Sequence, residues 1–134
     1  MPVYAEFIKS VDEPDRADLE RLYGKDTDKL LNAAEKDKLI LVAGRFNGKL
    51  IAGFTLTPIH AGDYQMARLC VREITRRRGV ARQLLIQAFK ALPEELVSIS
   101  ADLRSAPELC NLMSDLGFKS NGAIWQWQHP QKTA

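Results

Sequence analysis

Residues 69–85, "LCVREITRRRGVARQLL", join an apolar run to a helix-like run through three successive arginines and one glycine. "YQMARLCV" at 64–71 reads as a strand. "GVARQLLIQAFKAL" at 79–92 reads as an amphipathic helix, with Ala81, Leu85, Ala88, Phe89 and Leu92 at helical spacing and Arg82, Gln83, Gln87 and Lys90 opposite. Pro93 is the expected stop. A helix start presents backbone N–H groups with no partner inside the helix, and the peptide dipoles add partial positive charge there. Glycine lets an anion come close to the backbone. With Gly79 and Ala81 at that start and Arg76, Arg77 and Arg78 just before it, the stretch suits a pyrophosphate, guanidinium groups pairing with its oxygens. The spacing is neither G-x-G-x-x-G nor G-x-x-x-x-G-K-[ST]. Charge clusters of this kind also occur as solvated surface or as loose nucleic-acid patches, so the residues alone leave three readings open.

Working outward, a hairpin precedes this stretch. "LILVAGRF" and "KLIAGFTLT" are separated by Asn47-Gly48, the pair that best accepts the positive φ angles of a tight turn. "VYAEFI" alternates as a first strand. "DEPDRADLERLYG" reads as a helix with Asp12 as N-cap, Pro14 in the first turn and Gly24 at the stop. "DTDKLLNAAEKDK" adds a second helix with Leu30, Leu31 and Ala34 on one face, and a loop is expected around His60–Asp63. Downstream come a strand in "LVSISAD", a helix in "APELCNLMSDLG" with Pro107 in its first turn and Gly117 as its C-terminal glycine, and two short strands about Asn121-Gly122. The order β-α-α-β-β-β-α-β-α-β-β describes one mixed α/β domain over 1–134, with a loose tail at 129–134.

Composition limits the function classes. A chain of 134 residues that is 46% hydrophobic can bury one continuous core. A net charge of +2 is too small for a general nucleic-acid or membrane binder, and Trp125 and Trp127, remote in sequence from the arginines, read as packing residues rather than a base-stacking platform. No apolar stretch reaches the length of a bilayer span. "MPVYAEFIKS" does not have the form of a secretory signal, and Cys70 and Cys110 suggest no disulfide framework, so reduced thiols in the cytoplasm are expected. His60 and His129 are isolated, and no metal site is expected.

Arg76-x-x-Gly79-x-Ala81, directly after a strand and opening a helix, resembles the acetyl-coenzyme A signature R/Q-x-x-G-x-G/A of the GNAT N-acetyltransferase superfamily. The element order resembles that fold along nearly the whole chain. The resemblance implies a single GNAT-like domain of fold class α/β, a mixed, mostly antiparallel sheet of about six to seven strands flanked by about four helices. It implies acetyl-coenzyme A or coenzyme A as ligand. Leu69, Cys70 and Val71 would lie along pantetheine on a strand splayed from its neighbour. Thr75, Arg76, Arg77, Arg78, Gly79, Val80, Ala81 and Arg82 would wrap the phosphates.

Acetyl transfer needs a base for the amine proton and, usually, an acid for the departing thiolate. In many members of the superfamily a fourth-strand glutamate and a tyrosine four residues before a Gly-Phe pair fill these roles. Here Tyr64–Val71 contains no carboxylate, the tyrosine position holds Met113, and an asparagine often found early in that helix aligns with Ala106. Glu73, beside Arg72, reads as a salt-bridge partner, and Cys70, with no histidine to activate it, reads as a packed strand residue. Tyr23 and Tyr64 remain as tyrosines elsewhere near the cleft. No catalytic residue is assigned.

A narrower resemblance fits that absence. "VREITRRRGVA", "GRFNGKLIA", "DRADL" and "ADLR…LGF" are similar to the PanM/PanZ group of small GNAT-fold proteins, whose pattern is close to V-R-E-V-T-R-R-R-G-V-G. Ile74 and Ala81 depart from it, and similarity is weaker at 25–38 and 58–66. The group acts on aspartate 1-decarboxylase, PanD, in pantothenate biosynthesis. The resemblance therefore implies a coenzyme A-dependent regulator, a monomer when alone, which binds the PanD precursor and promotes its self-cleavage to the pyruvoyl form. It would also regulate the mature enzyme. Arg45, Asn47, Arg76 and Arg77 are the expected partner contacts. An active acetyltransferase on an unknown amine is the alternative.

Overall fold

The computed structural model describes residues 2–72 and 79–130. Thr75, Arg76, Arg77 and Arg78, expected at the phosphates, lie outside the described residues, as does the tail beyond Pro130.

Two helices follow the first strand, β1 (Tyr4–Ile8): α1 (Glu13–Tyr23) and, after a short 3₁₀ turn at Gly24–Asp26, α2 (Thr27–Glu35). Asp12 caps α1, its carboxylate accepting from the Asp15 amide at 2.9 Å, and Gly24 closes it at φ 58°. Three strands come next, β2 (Ile40–Phe46), β3 (Lys49–His60) and β4 (Asp63–Val71). Asn47 and Gly48 turn between β2 and β3 with φ 51° and 79°, as their residue types predict. The loop expected at His60–Asp63 is instead a two-residue turn. His60 and Asp63 pair directly, and Gly62 supplies the positive φ.

The remaining elements are α3 (Val80–Phe89), β5 (Ser98–Asp102), α4 (Cys110–Asp115), β6 (Lys119–Asn121) and β7 (Ile124–Gln128). The α3 core face differs from the expected stripe: Val80, Leu84, Leu85 and Ala88 are buried, whereas Ala81 and Phe89 are half-buried. The helix also ends before Pro93, because Lys90 and Ala91 donate to carbonyls three residues back and tighten the last turn. A 3₁₀ turn at Pro107–Leu109 begins the segment expected as one helix, and α4 proper starts at Cys110. His129, expected in the loose tail, donates its amide to Val97 O at 2.8 Å and sets its ring edge-on to Trp127, so the held chain reaches further than expected.

These strands form one seven-stranded sheet in the order β1-β2-β3-β4-β5-β7-β6, antiparallel except for the parallel pair β4–β5. Both faces are covered. On β2, Leu41 and Ala43 join Ile8, Leu19, Leu31 and Leu50 on the α1/α2 side, while Val42 joins Phe54, Leu84 and Leu85 on the α3 side. Burial on both faces explains why "LILVAG" is continuously apolar rather than alternating. Trp127 packs on Phe89 with ring centroids 4.8 Å apart, and Phe89 on Phe118 at 6.0 Å, so Trp127 is a packing residue. Among the described residues no helix is long and apolar enough to cross a membrane.

Candidate functional site

Strand β4 does not run as a regular partner of both neighbours. It pairs with β5 only from Asp63↔Ser98 to Met66↔Ala101. Beyond Met66 it continues along β3 alone, as far as Val71↔Ala52. The register against β3 shifts between Thr55↔Ala67 and Gly53↔Cys70, where three steps on β4 oppose two on β3. That extra residue is a bulge, and Arg68 sits in it with φ 57°. A bulge bends its strand, so the second half of β4 leaves β5 and opens a cleft of about 290 Å³. Gln65, Ala67 and Leu69 line one wall; Leu103, Ala106, Leu109 and Met113 line the other side.

Helix α3 follows the segment after β4. Gly79 precedes it in the left-handed region, φ 68° and ψ 25°. A Cβ placed on Gly79 would meet no atom of the described residues within 4 Å, so its backbone faces open space. Gln83 N donates to Gly79 O at 3.1 Å. The amides of Val80, Ala81 and Arg82 come before the first intrahelical donor, and a glycine N-cap supplies no side chain to accept from them. This donor set suits an anion.

The expected site residues divide into groups. Leu69 lines the cleft, half-buried. Cys70 is turned towards α1, its thiol donating to Leu22 O at 3.4 Å. Val71 is half-buried against the α3-side core. Val80 is fully buried, so only its backbone can face a ligand. The Arg82 guanidinium donates to Asp115 at 2.8 Å. At the hairpin, Arg45 is held by both carboxylates of Glu6 and Asp15, with Nη2–Asp15 at 2.8 Å, and donates to Gly48 O at 2.9 Å. The bonds to Glu6 and then Asp15 push its pKa further above its ordinary value. Arg45 is thus a brace within the fold, whereas Asn47, two residues further on, is exposed at the turn.

Met113 is fully buried and borders the cleft, a thioether with no proton to give. Asp102 also lines it, but its carboxylate is occupied by Arg104, whose side chain and then backbone N–H hold its pKa below the ordinary range. Tyr64 lies away from the cleft, beside Pro58 and Glu95, its phenol raised by lost solvation and then by Glu95. Tyr23 donates its hydroxyl to Arg68 O at 3.1 Å. Lost solvation, then the neighbouring Cys70, pushes that phenol well above its ordinary value, so it remains a donor. Sequence patterns do not reveal the tie between Tyr23, Gly53 and Arg68, since nothing local links positions so far apart. The far wall of the cleft was legible only in part, through Ala106 and Met113.

The seven-stranded, mostly antiparallel sheet with a splayed β4 is the architecture of the GNAT acetyltransferases. The solution NMR structure of Escherichia coli YhhK bound to coenzyme A matches with a TM-score of 0.74 at 24% identity, over 96% of this chain and 99% of that one. Salmonella typhimurium yncA with its cofactor acetyl-CoA matches with a TM-score of 0.75 at 15% identity, over 100% and 98%. Within that fold class, residues 2–126 match the family model described as "Acetyltransferase (GNAT) domain, PanZ", and the chain belongs to that family. The "PanD regulatory factor" of Escherichia coli (strain K12) is 26% identical over 121 residues, 89% of this chain and 93% of that protein.

Proposed function

We propose that this protein is a coenzyme A-responsive regulator of aspartate 1-decarboxylase, which binds the PanD precursor, promotes its self-cleavage and regulates the mature enzyme. Membership of the PanZ family across residues 2–126 carries the reading. The name of the Escherichia coli relative supports the partner, and the splayed cleft, together with a helix start whose N-cap glycine supplies no side chain, supports the ligand.

The residues present fit coenzyme A. Pantetheine would lie in the cleft along Leu69, and the pyrophosphate would accept from the amides at Gly79–Arg82. Thr75 through Arg78 would add hydroxyl and guanidinium donors. When bound, the group would fill the gap between β4 and β5 and neutralise the basic turn. The cleft's own side chains do little proton chemistry, for Met113 cannot protonate a thiolate and Asp102 is held ionised by Arg104.

Regulation then follows from linkage. A ligand that strengthens partner binding is itself bound more tightly, by the same factor, when the partner is present. The precursor's serine attacks the preceding peptide carbonyl only in a suitable loop conformation. A partner accelerates that attack only by binding this conformation more tightly than the others. Capture of purified precursor on immobilised protein, with and without acetyl-coenzyme A, tests the proposal. Ligand-dependent capture with faster cleavage supports it; equal capture and an unchanged cleavage rate remove it.

A further inference from the structure

Arg68 holds a backbone conformation that L side chains rarely adopt, at φ 57°. Such a residue persists only where its surroundings over-determine it. Three contacts from one region do so. The Tyr23 hydroxyl donates to Arg68 O at 3.1 Å, the Arg68 guanidinium donates to Asp26 at 3.2 Å, and the Cys70 thiol donates to Leu22 O at 3.4 Å. All three partners lie at the end of α1 or in the turn after it. Across β3 the path to the bulge is cleared by a missing side chain. A Cβ on Gly53 would stand 2.7 Å from the Tyr23 oxygen and 3.1 Å from Val42 O. The phenol thus occupies space that only glycine leaves open.

We propose that Tyr23 is a positioning residue for the cleft: its bond to Arg68 O keeps the β4 bulge formed, and the bulge keeps the second half of β4 apart from β5. If the bulge relaxed into regular pairing, the residues after it would slip by one position along β3. A one-residue slip exchanges the two faces of a strand, so Leu69 would leave the cleft and Cys70 would enter it. The cleft would lose the wall that runs through Ala67, Arg68 and Leu69. This inference rests on the coenzyme reading above for its ligand, but not for its geometry. It makes no use of Tyr23 as an acid.

The test compares Tyr23→Phe in two backgrounds, the natural chain and Arg68→Gly. Glycine adopts a positive φ without strain, so the bulge should no longer need the clamp. Two readouts are taken: coenzyme A affinity by calorimetry, and amide exchange at Leu69–Val71 without ligand. In the natural background Tyr23→Phe should weaken coenzyme A by about tenfold and speed exchange by a similar factor, the size expected for a lost hydrogen bond. In the Arg68→Gly background both effects should fall to under about twofold. Thr27→Val, which removes the Thr27 hydroxyl bond to Gly24 O, should leave affinity unchanged. Equal losses in both backgrounds, or unchanged exchange in Tyr23→Phe, would overturn the clamp. Failure of the natural chain to bind coenzyme A would overturn the ligand reading alone, and the exchange arm would still decide the clamp.

Discussion

Replacing Gly79 separates the demands of the backbone from those of a ligand. At φ 68° any L residue is strained by roughly 1–2 kcal/mol, partly offset by the lower entropy of the unfolded chain. The net loss of about 1 kcal/mol should lower Tm by roughly 3–6 °C, and by a similar amount for Gly79→Ala and Gly79→Trp. Both variants should fold, because a Cβ there meets no described atom within 4 Å. Their ligand affinities should differ widely. A methyl group leaves much of the open space, whereas an indole fills the approach to the first amides of α3. Each hydrogen bond from an amide to a charged phosphate contributes about 1.5–3 kcal/mol, so losing two weakens binding by roughly 10²–10⁴-fold. Calorimetric titration with coenzyme A should show Gly79→Ala within about tenfold of the natural protein and Gly79→Trp at least about a hundredfold weaker. A folded Gly79→Trp protein with unchanged affinity would refute the placement of the pyrophosphate.

Asp18 is buried and accepts from Leu50 N and the Arg21 guanidinium, each at 3.0 Å, so Asp18→Ala should cost about 2–3 kcal/mol in urea unfolding; a loss below about 0.5 kcal/mol would contradict this. Asn47→Gly preserves both positive-φ positions of the hairpin, so Tm should hold while capture of the PanD precursor falls by about tenfold; unimpaired capture would remove Asn47 as a contact. The Asp102 carboxyl is held down by Arg104, so the stability it contributes is complete above the ordinary carboxylate range and is lost as pH falls through its lowered value. In Arg104→Ala, carbon NMR titration should find Asp102 back near its ordinary value, and an unmoved titration would show another cause.

Most of the fold was legible because its signals are local. Asp12, Pro14 and Gly24 punctuate α1, and Asn47-Gly48 fixes the β2–β3 turn by backbone preference alone. Sequence alone suggests a loop at the Ala61-Gly62 turn, for its tightness depends on pairing between His60 and Asp63 that neither residue announces. Helical spacing alone misplaces the α3 face, because β-branched Val80 at the first turn fits the core as well as Ala81 fits the stripe. At the candidate site, Gly79 ahead of α3 follows from strand, glycine and helix in succession, whereas Leu69, which lines the cleft, follows only from the family resemblance. Arg45 illustrates the opposite case: Glu6 and Asp15 lie on other elements, and nothing near position 45 predicts that they brace it. The tie of Tyr23 to Gly53 and Arg68 is hidden for the same reason, since a contact across three elements leaves no periodic trace.

The most direct measurement is the rate of precursor cleavage by purified PanD alone, with this protein, and with this protein plus acetyl-coenzyme A. The account predicts that cleavage accelerates when protein and ligand are both present, and that Gly79→Trp abolishes the acceleration. Equal rates in all three mixtures, with the protein folded and acetyl-coenzyme A in excess, would contradict it.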